Sequence, residues 1–192
     1  MTATASPIEA RMLAGDDLAF AELADRHGGR LRLYIRQVAG RAIAADSDEE
    51  DLYQLVVFRA WQLRESFVPR GPGSFHSWLV AMARNVIGDR IRYLAGKGRD
   101  AGRRAVCAAS IASEIPASIT SVASRASRRE EADRLERFLT ELEAEQRTIV
   151  ELYYLEGLSL AQVAERCARA RSSVWEELRD ILARMRGSLG ES

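Results

Sequence analysis

The sequence predicts an all-α protein of two small helical domains joined by a flexible linker, the second domain ending in a helix-turn-helix. Three observations predict it. Ala, Leu, Arg and Glu dominate and only 4 of 192 residues are proline, a composition biased toward helix. Apolar residues recur at helical spacing in two stretches, up to about residue 95 and again from about residue 130. Between them, residues 96–129 lose that periodicity, are rich in Ala, Ser, Gly and Arg, and include Pro116, as a linker does.

The first helical run begins after Asp16 and Asp17 and keeps one apolar face through Phe20, Leu23, Ala24, Leu31, Tyr34, Ile35 and Val38. His27 lies on that stripe and reads as a packing histidine, because no second ligand stands at metal spacing. A second helix starts at Ser47, with Glu50 three residues on as a capping box. Asp48, Glu49, Glu50 and Asp51 crowd its first turn, where negative charge complements the macrodipole, and helix-start chemistry alone would account for them. The helix continues through Leu52, Val56 and Trp61 to Glu65. Pro69-Arg70-Gly71-Pro72-Gly73 then forms a loop.

The third helix runs from Ser74 with Phe75, Trp78, Leu79, Met82, Ala83, Val86, Ile87, Ile91 and Leu94 at helical spacing. Two readings fit it. Aromatics beside Arg84, Arg90 and Arg92 suit single-strand binding, where bases stack on rings and cations hold phosphates. On the other reading, favoured because aromatics at helical spacing are usually buried, the rings are core and the arginines solvate the face.

After the linker, Leu135, Phe138, Leu139 and Leu142 restore the period, and Ile149, Val150, Leu152 and Tyr153 carry a further helix to Gly157. Ser159 with Gln162, and Ser173 with Glu176, read as the capping boxes of two short helices. The turn between them is placed at Ala168 to Arg171, the length that sets one helix sharply across another. Val174, Leu178, Ile181, Leu182 and Met185 form the buried face of the last helix, leaving Trp175, Glu176, Arg179 and Asp180 outward. A helix held this way suits a DNA major groove.

The balanced net charge conceals segregation, at −4 over residues 1–58, +9 over 59–129 and −5 over 130–192. Phosphate binding follows local cation density, so the middle segment suits a polyanion. No apolar run has bilayer length and no signal-peptide pattern opens the chain, so the expectation is a cytoplasmic protein without membrane insertion. Cys107 and Cys167 suggest no disulfide framework. His27 and His76 have no paired nucleophile, and there is no glycine-rich phosphate loop, so neither an enzyme nor a cofactor or metal is expected.

The order of these parts resembles the bacterial RNA polymerase sigma factors of the extracytoplasmic-function class. Asp48-Glu49-Glu50-Asp51-Leu52-Tyr53-Gln54 followed by Phe58-Arg59-Ala60-Trp61 resembles that family's polymerase-binding helix. Ser74-Phe75-His76-Ser77-Trp78-Leu79 running into Ala83-Arg84-Asn85-Val86-Ile87-Gly88-Asp89-Arg90-Ile91-Arg92 resembles its promoter-melting helix. Glu145-Gln146-Arg147 and Tyr154-Leu155-Glu156-Gly157-Leu158-Ser159 resemble the start of its second domain. The likeness spans about residues 16–95 and 131–187.

The resemblance implies that residues 1–95 bind core polymerase and melt the minus-ten element, with 96–129 as basic linker and 130–192 as the helix-turn-helix domain reading minus-thirty-five duplex. It implies docking on the polymerase beta-prime and beta subunits through Asp48, Glu50, Asp51, Leu52 and Gln54. Phe75, Trp78, Arg84, Asn85, Asp89 and Arg92 would take up minus-ten bases. Arg169, Arg171, Ser172, Ser173, Trp175, Glu176 and Arg179 would face duplex DNA. The chain departs from the family at Leu55, usually acidic, at Ala168, usually glycine, and at Arg169, usually apolar. Glu176, Glu177 and Asp180 also stand where small or basic residues are usual. That acidity supports an alternative, a sigma-derived regulator whose second domain binds a protein such as an anti-sigma factor.

Overall fold

Side-chain caps at Ser6, Asp16 and Ser159 start helices in the computed structural model, which describes residues 5–39, 49–95 and 122–190. Helix α1 (Pro7–Leu13), which apolar spacing did not reveal, opens on a capping box. The Ser6 amide donates to the Glu9 carboxylate at 2.7 Å while the Ser6 hydroxyl accepts from the Glu9 amide. Helix α2 (Asp17–Arg26) starts at Asp16, whose Oδ1 accepts from the Leu18 and Ala19 amides at 3.0 and 3.1 Å.

The stripe from Phe20 to Val38 is two helices rather than one. Helix α2 ends at His27 and α3 (Gly28–Ala39) follows directly. Both turn their apolar sides to the same core, which is why the spacing survives the break; Val38, at the far end, is exposed. Helix α4 (Glu49–Gln62) leads into a single 3-10 turn at Arg64–Ser66. Ser47 and Asp48 lie outside the described residues, and with them the capping box expected at Ser47. Gly71 and Gly73 hold φ of 110° and 82°, a backbone region open mainly to glycine, and so turn the chain into α5 (Ser74–Ala95).

Helix α6 (Val122–Thr140) begins inside the stretch expected to be linker, before the domain boundary placed at residue 130. Its first turns lack an apolar stripe, and a tertiary contact holds them instead. Arg128 is buried, ion-pairs with Asp25 and places its guanidinium carbon 4.9 Å from the centre of the Tyr53 ring. The rest of the expected linker, residues 96–121 with Cys107, lies outside the described residues.

Helix α7 (Ala144–Val150) runs into a π turn at Glu151–Leu155 and stops at Gly157, whose φ is 70°. Helix α8 (Leu160–Arg166) has the expected capping box, with the Ser159 amide donating to Gln162 at 2.9 Å. Helix α9 (Arg171–Gly190) corrects the second box. It starts two residues before Ser173, the Val174 amide already donates to the Ala170 carbonyl at 3.1 Å, and Ser173 is an exposed first-turn residue. The turn is Cys167–Ala170, one residue earlier than read from sequence.

The buried side chains of both halves run together into one core. In the first half, Phe20, Phe67 and Phe75 meet edge-on, with ring centres 6.3 and 5.5 Å from Phe75. In the second, Ile149, Val150, Val163, Val174, Leu178 and Ile181 close α7, α8 and α9 on one another. Each such burial contributes about 1.5–3 kcal/mol before the entropy of ordering. Helix α6 joins the halves by lying on α3 at Gly28 and Gly29, where any Cβ would overlap the Arg128 and Glu131 side chains. No helix among the described residues is long and apolar enough to cross a membrane.

Candidate functional site

Three surfaces carry the residues singled out by sequence. The first is the start of α4. Arg32, 4 % exposed, donates to Glu49 at 3.1 Å and to Glu50 at 2.7 Å. Arg36 donates to Glu49 at 2.9 Å, and Gln54 donates to Glu50 at 2.6 Å. The carboxylates of Glu49 and Glu50 are therefore turned toward the protein, half-buried, as the anionic half of a network around the buried Arg32. Leu52 is core, Asp51 is exposed and Gln54 is half-buried. Of the polymerase-docking residues expected here, Asp51 and Gln54 remain accessible, and Asp48 lies outside the described residues.

Helix α5 forms the second surface, and its two sides differ completely. Phe75, Leu79, Ala83, Val86 and Ile87 are buried. Phe75 is thus a core ring, and base stacking on it is corrected: the loop before α5 folds Phe67 over it at 5.5 Å. Trp78 is half-buried against the same two rings, 5.5 and 5.7 Å away. On the other side Arg84, Asn85, Asp89 and Arg92 are all exposed. Asp89 accepts from Arg59 at 3.0 Å and from Arg92 at 2.5 Å, and these two guanidinium hydrogen bonds hold its carboxyl below the usual range.

At its N-terminal end, α5 meets the second half of the chain. Arg84 donates to Glu156 at 2.7 Å and to the Tyr34 hydroxyl at 3.0 Å. Ser77 donates to the Gly157 carbonyl at 2.7 Å. His76, fully buried, lies with Nε2 2.9 Å from the Leu155 carbonyl, so Nε2 carries the proton and Nδ1 has no partner among the described residues. Its ring stacks on His27 at 5.7 Å. Burial first, and the nearby Arg30 second, push His27 down to about 4 and His76 well below its ordinary value. Arg30 itself stacks 3.6 Å from the centre of the Tyr154 ring and donates to that residue's carbonyl. Sequence gave no signal for this pairing of Arg30 with Tyr154, since it joins positions 124 residues apart.

The third surface is the helix-turn-helix. Arg171, Ser172, Ser173, Trp175, Glu176, Arg179 and Asp180 are exposed along α9, and Val174, Leu178 and Ile181 are buried, as the spacing predicts. Arg169 and Glu177 pair at 2.5 Å, and Arg179 and Asp180 at 3.1 Å. Ala168 takes φ of 51°, the left-handed turn position where the resembled family has glycine.

Comparison with known proteins settles the family. Residues 23–96 match the model for Sigma-70 region 2, and residues 132–185 match that for Sigma-70, region 4. The chain is 30% identical over 183 residues to the ECF RNA polymerase sigma factor SigK of Mycobacterium bovis (strain BCG / Pasteur 1173P2), covering 95% of this chain and 92% of that protein. The chain belongs to the ECF RNA polymerase sigma factors. The SigK of Mycobacterium tuberculosis (strain ATCC 25177 / H37Ra) is also 30% identical over the same shares, and that of Mycobacterium sp. (strain JLS) is 26% identical over 95% of this chain and 89% of its own. A solved structure, of CnrH in complex with the cytosolic domain of CnrY, aligns with TM-score 0.40 and 21% identity over 96% of this chain and 97% of that chain. As an ECF sigma factor, the protein directs promoter recognition in transcription initiation, with core RNA polymerase and promoter DNA as the family's partners. The family is one of transcription regulators rather than enzymes.

Proposed function

We propose that this sigma factor docks on the beta-prime and beta subunits of core polymerase through the exposed edge of α4, and opens the minus-ten element with the polar side of α5. The supporting observation is the two-sidedness of α5. Its apolar side is spent on the core, while Arg84, Asn85, Asp89 and Arg92 line the solvent side. Flipping a base costs a few kcal/mol, and polar side chains beside cations offset that by holding the base edge and the phosphate. Phe75 serves the fold in this reading, and Trp78 supplies at most one ring edge.

Arg92 provides the test because its side chain is 75% exposed and its removal leaves the core untouched. Anisotropy of a single-stranded minus-ten oligonucleotide should weaken on Arg92→Ala, with the salt slope falling by about 0.7 for one lost phosphate contact. An unchanged slope in both Arg92→Ala and Asn85→Ala would remove this side of α5 from strand capture. For docking, Asp51→Ala with Gln54→Ala should abolish core-polymerase binding while the helical circular-dichroism signal persists; retained affinity in the folded variant rules α4 out.

A second reading concerns α9, where a protein partner such as an anti-sigma factor replaces minus-thirty-five DNA. It is supported by Glu177 and Asp180, which engage Arg169 and Arg179, two of the cations a phosphate backbone would need. Anisotropy of the full chain on minus-thirty-five duplex discriminates the two. Tight, sequence-selective binding that α9 substitutions abolish favours the DNA reading.

A further inference from the structure

Helix α5 carries one acidic residue, Asp89, on the same side as Arg84, Asn85 and Arg92. A carboxylate there opposes the polyanion that this side is proposed to hold. Folding does not account for it. The Asp89 side chain is 49% exposed, and exposed ion pairs contribute little to stability.

The geometry around Asp89 gives a reason. One carboxylate oxygen, Oδ2, accepts from Nη1 of Arg59 at 3.0 Å, and the other, Oδ1, accepts from Nη2 of Arg92 at 2.5 Å. Asp89 therefore stands between two guanidiniums that come from different helices. Among the described residues it is the only carboxylate that either one meets, and each uses a single nitrogen on it. A guanidinium presents a rigid fork of N–H donors, so most of each fork stays available for phosphate oxygens. Two cations around one anion also leave the trio positive.

Arg59 is the unexpected member. Its neighbours Phe58, Ala60 and Trp61 belong to a stretch that resembles a polymerase-binding helix. Yet Arg59 stands eight residues beyond Asp51, about 80° around α4 and about 12 Å along it. That offset takes it away from the docking edge proposed at Asp51 and Gln54 and brings it to Asp89 on the polar side of α5.

We propose that Arg59 binds the backbone of the captured strand together with Arg92, and that Asp89 is the positioning residue that aims both guanidiniums at it. The proposal rests on strand capture by α5. Without Asp89 the two side chains are long, flexible and mutually repelling, and the strand itself would have to order them. With Asp89 they are ordered before the strand arrives. Helix α4 then serves two partners from two edges, polymerase at its start and the strand at Arg59.

The test is anisotropy of a short single-stranded thymidine homopolymer on the full chain over a salt series, a probe that offers phosphates without a promoter sequence. Arg59→Ala should weaken binding several-fold and lower the salt slope by about 0.7, one phosphate contact, with core-polymerase affinity unchanged. Asp89→Ala decides the positioning role by its sign. If Asp89 only repelled the strand, removing its charge would tighten binding; as a positioning residue, its loss should weaken binding several-fold. Asp89→Glu keeps the acceptor and should restore most of the affinity. In an Arg59→Ala, Arg92→Ala background the sign of Asp89→Ala should reverse, because only repulsion is then left to remove. Tighter binding by Asp89→Ala in the otherwise unaltered chain overturns the proposal, and so does an unchanged slope in Arg59→Ala. If Arg92→Ala lowers the slope while Arg59→Ala does not, this proposal alone fails. If Arg59→Ala, Arg92→Ala and Asn85→Ala all leave the slope unchanged, strand capture by α5 fails with it.

Discussion

At the start of α4 the carboxylates of Glu49 and Glu50 turn inward onto Arg32 and Arg36, whereas along α9 those of Glu176 and Asp180 stand exposed. In sequence the two are alike, acidic residues a few positions apart along one helix. Their neighbours set them apart. Helix α3 places two arginines one turn apart against α4, so Glu49 and Glu50 are half-buried and committed to the fold. Among the described residues nothing covers Glu176 and Asp180 on the outer side of α9, so these charges are available to repel a phosphate or to meet a basic partner. Acidic clusters in such chains acquire meaning from what faces them.

The largest effect should come from breaking the inward network. Arg32→Ala removes the buried guanidinium that Glu49 and Glu50 share, and because Arg36 and Gln54 still hold these half-buried carboxylates the loss should be about 1.5–3 kcal/mol, the scale of a hydrogen bond to a charged group. Urea denaturation of the full chain measures this; a loss below 1 kcal/mol would mean that the α4 carboxylates behave like those of α9.

Acid should separate the regions next, because both histidines, His27 and His76, lie in the first. His27 titrates near 4 in the fold against 6.5 free, so between those values the unfolded chain binds more protons than the folded one. Stability is therefore complete above about pH 6.5 and falls as pH drops toward 4, by about 2 kcal/mol for His27 at pH 5. His76 adds to this in the same direction. Thermal melts at pH 7 and pH 5 should show the loss, and His27→Phe, which keeps a ring against Phe75, should shrink it. Equal pH dependence in the variant would place the acid sensitivity elsewhere.

In the helix-turn-helix, Ala168→Gly should stabilise by roughly 0.5–1 kcal/mol. A left-handed alanine costs about 1–2 kcal/mol, and glycine returns part of the gain as unfolded-state entropy. A neutral or lower melting temperature would show that the turn relieves the strain in some other way.

Smallest of all is the outward acidic cluster. Glu176→Gln should leave stability within about 0.5 kcal/mol. It should also raise non-specific duplex affinity by a few tenths to about 1 kcal/mol, an effect that shrinks with salt. Loss of sequence-selective binding on this substitution would mean that Glu176 reads a base, the minority use of a carboxylate in the major groove.

Legibility followed the range of the interaction. The buried side of α9, the box at Ser159 and the start of α2 at Asp16 were readable because each depends on residues within a turn or two. The polar side of α5 was readable as a face, but whether Phe75 stacked on bases or on the core was not. That choice belongs to Phe20 and Phe67, which arrive from other elements. The box expected at Ser173 failed because Ala170 had already supplied the carbonyl that starts α9.

By itself the sequence determined that the chain is helical, that it has two apolar-periodic halves and that its ordered motifs resemble a sigma factor, because periodicity, capping and motif spacing are local properties. Tertiary structure alone decided that Glu49 and Glu50 turn inward onto Arg32 and Arg36, that α6 begins before the boundary and that the halves are clamped through Arg30, Arg36, His76 and Arg84. Each of those contacts joins residues many turns apart, and a charge or ring carries no mark in sequence of the partner that folding brings to it.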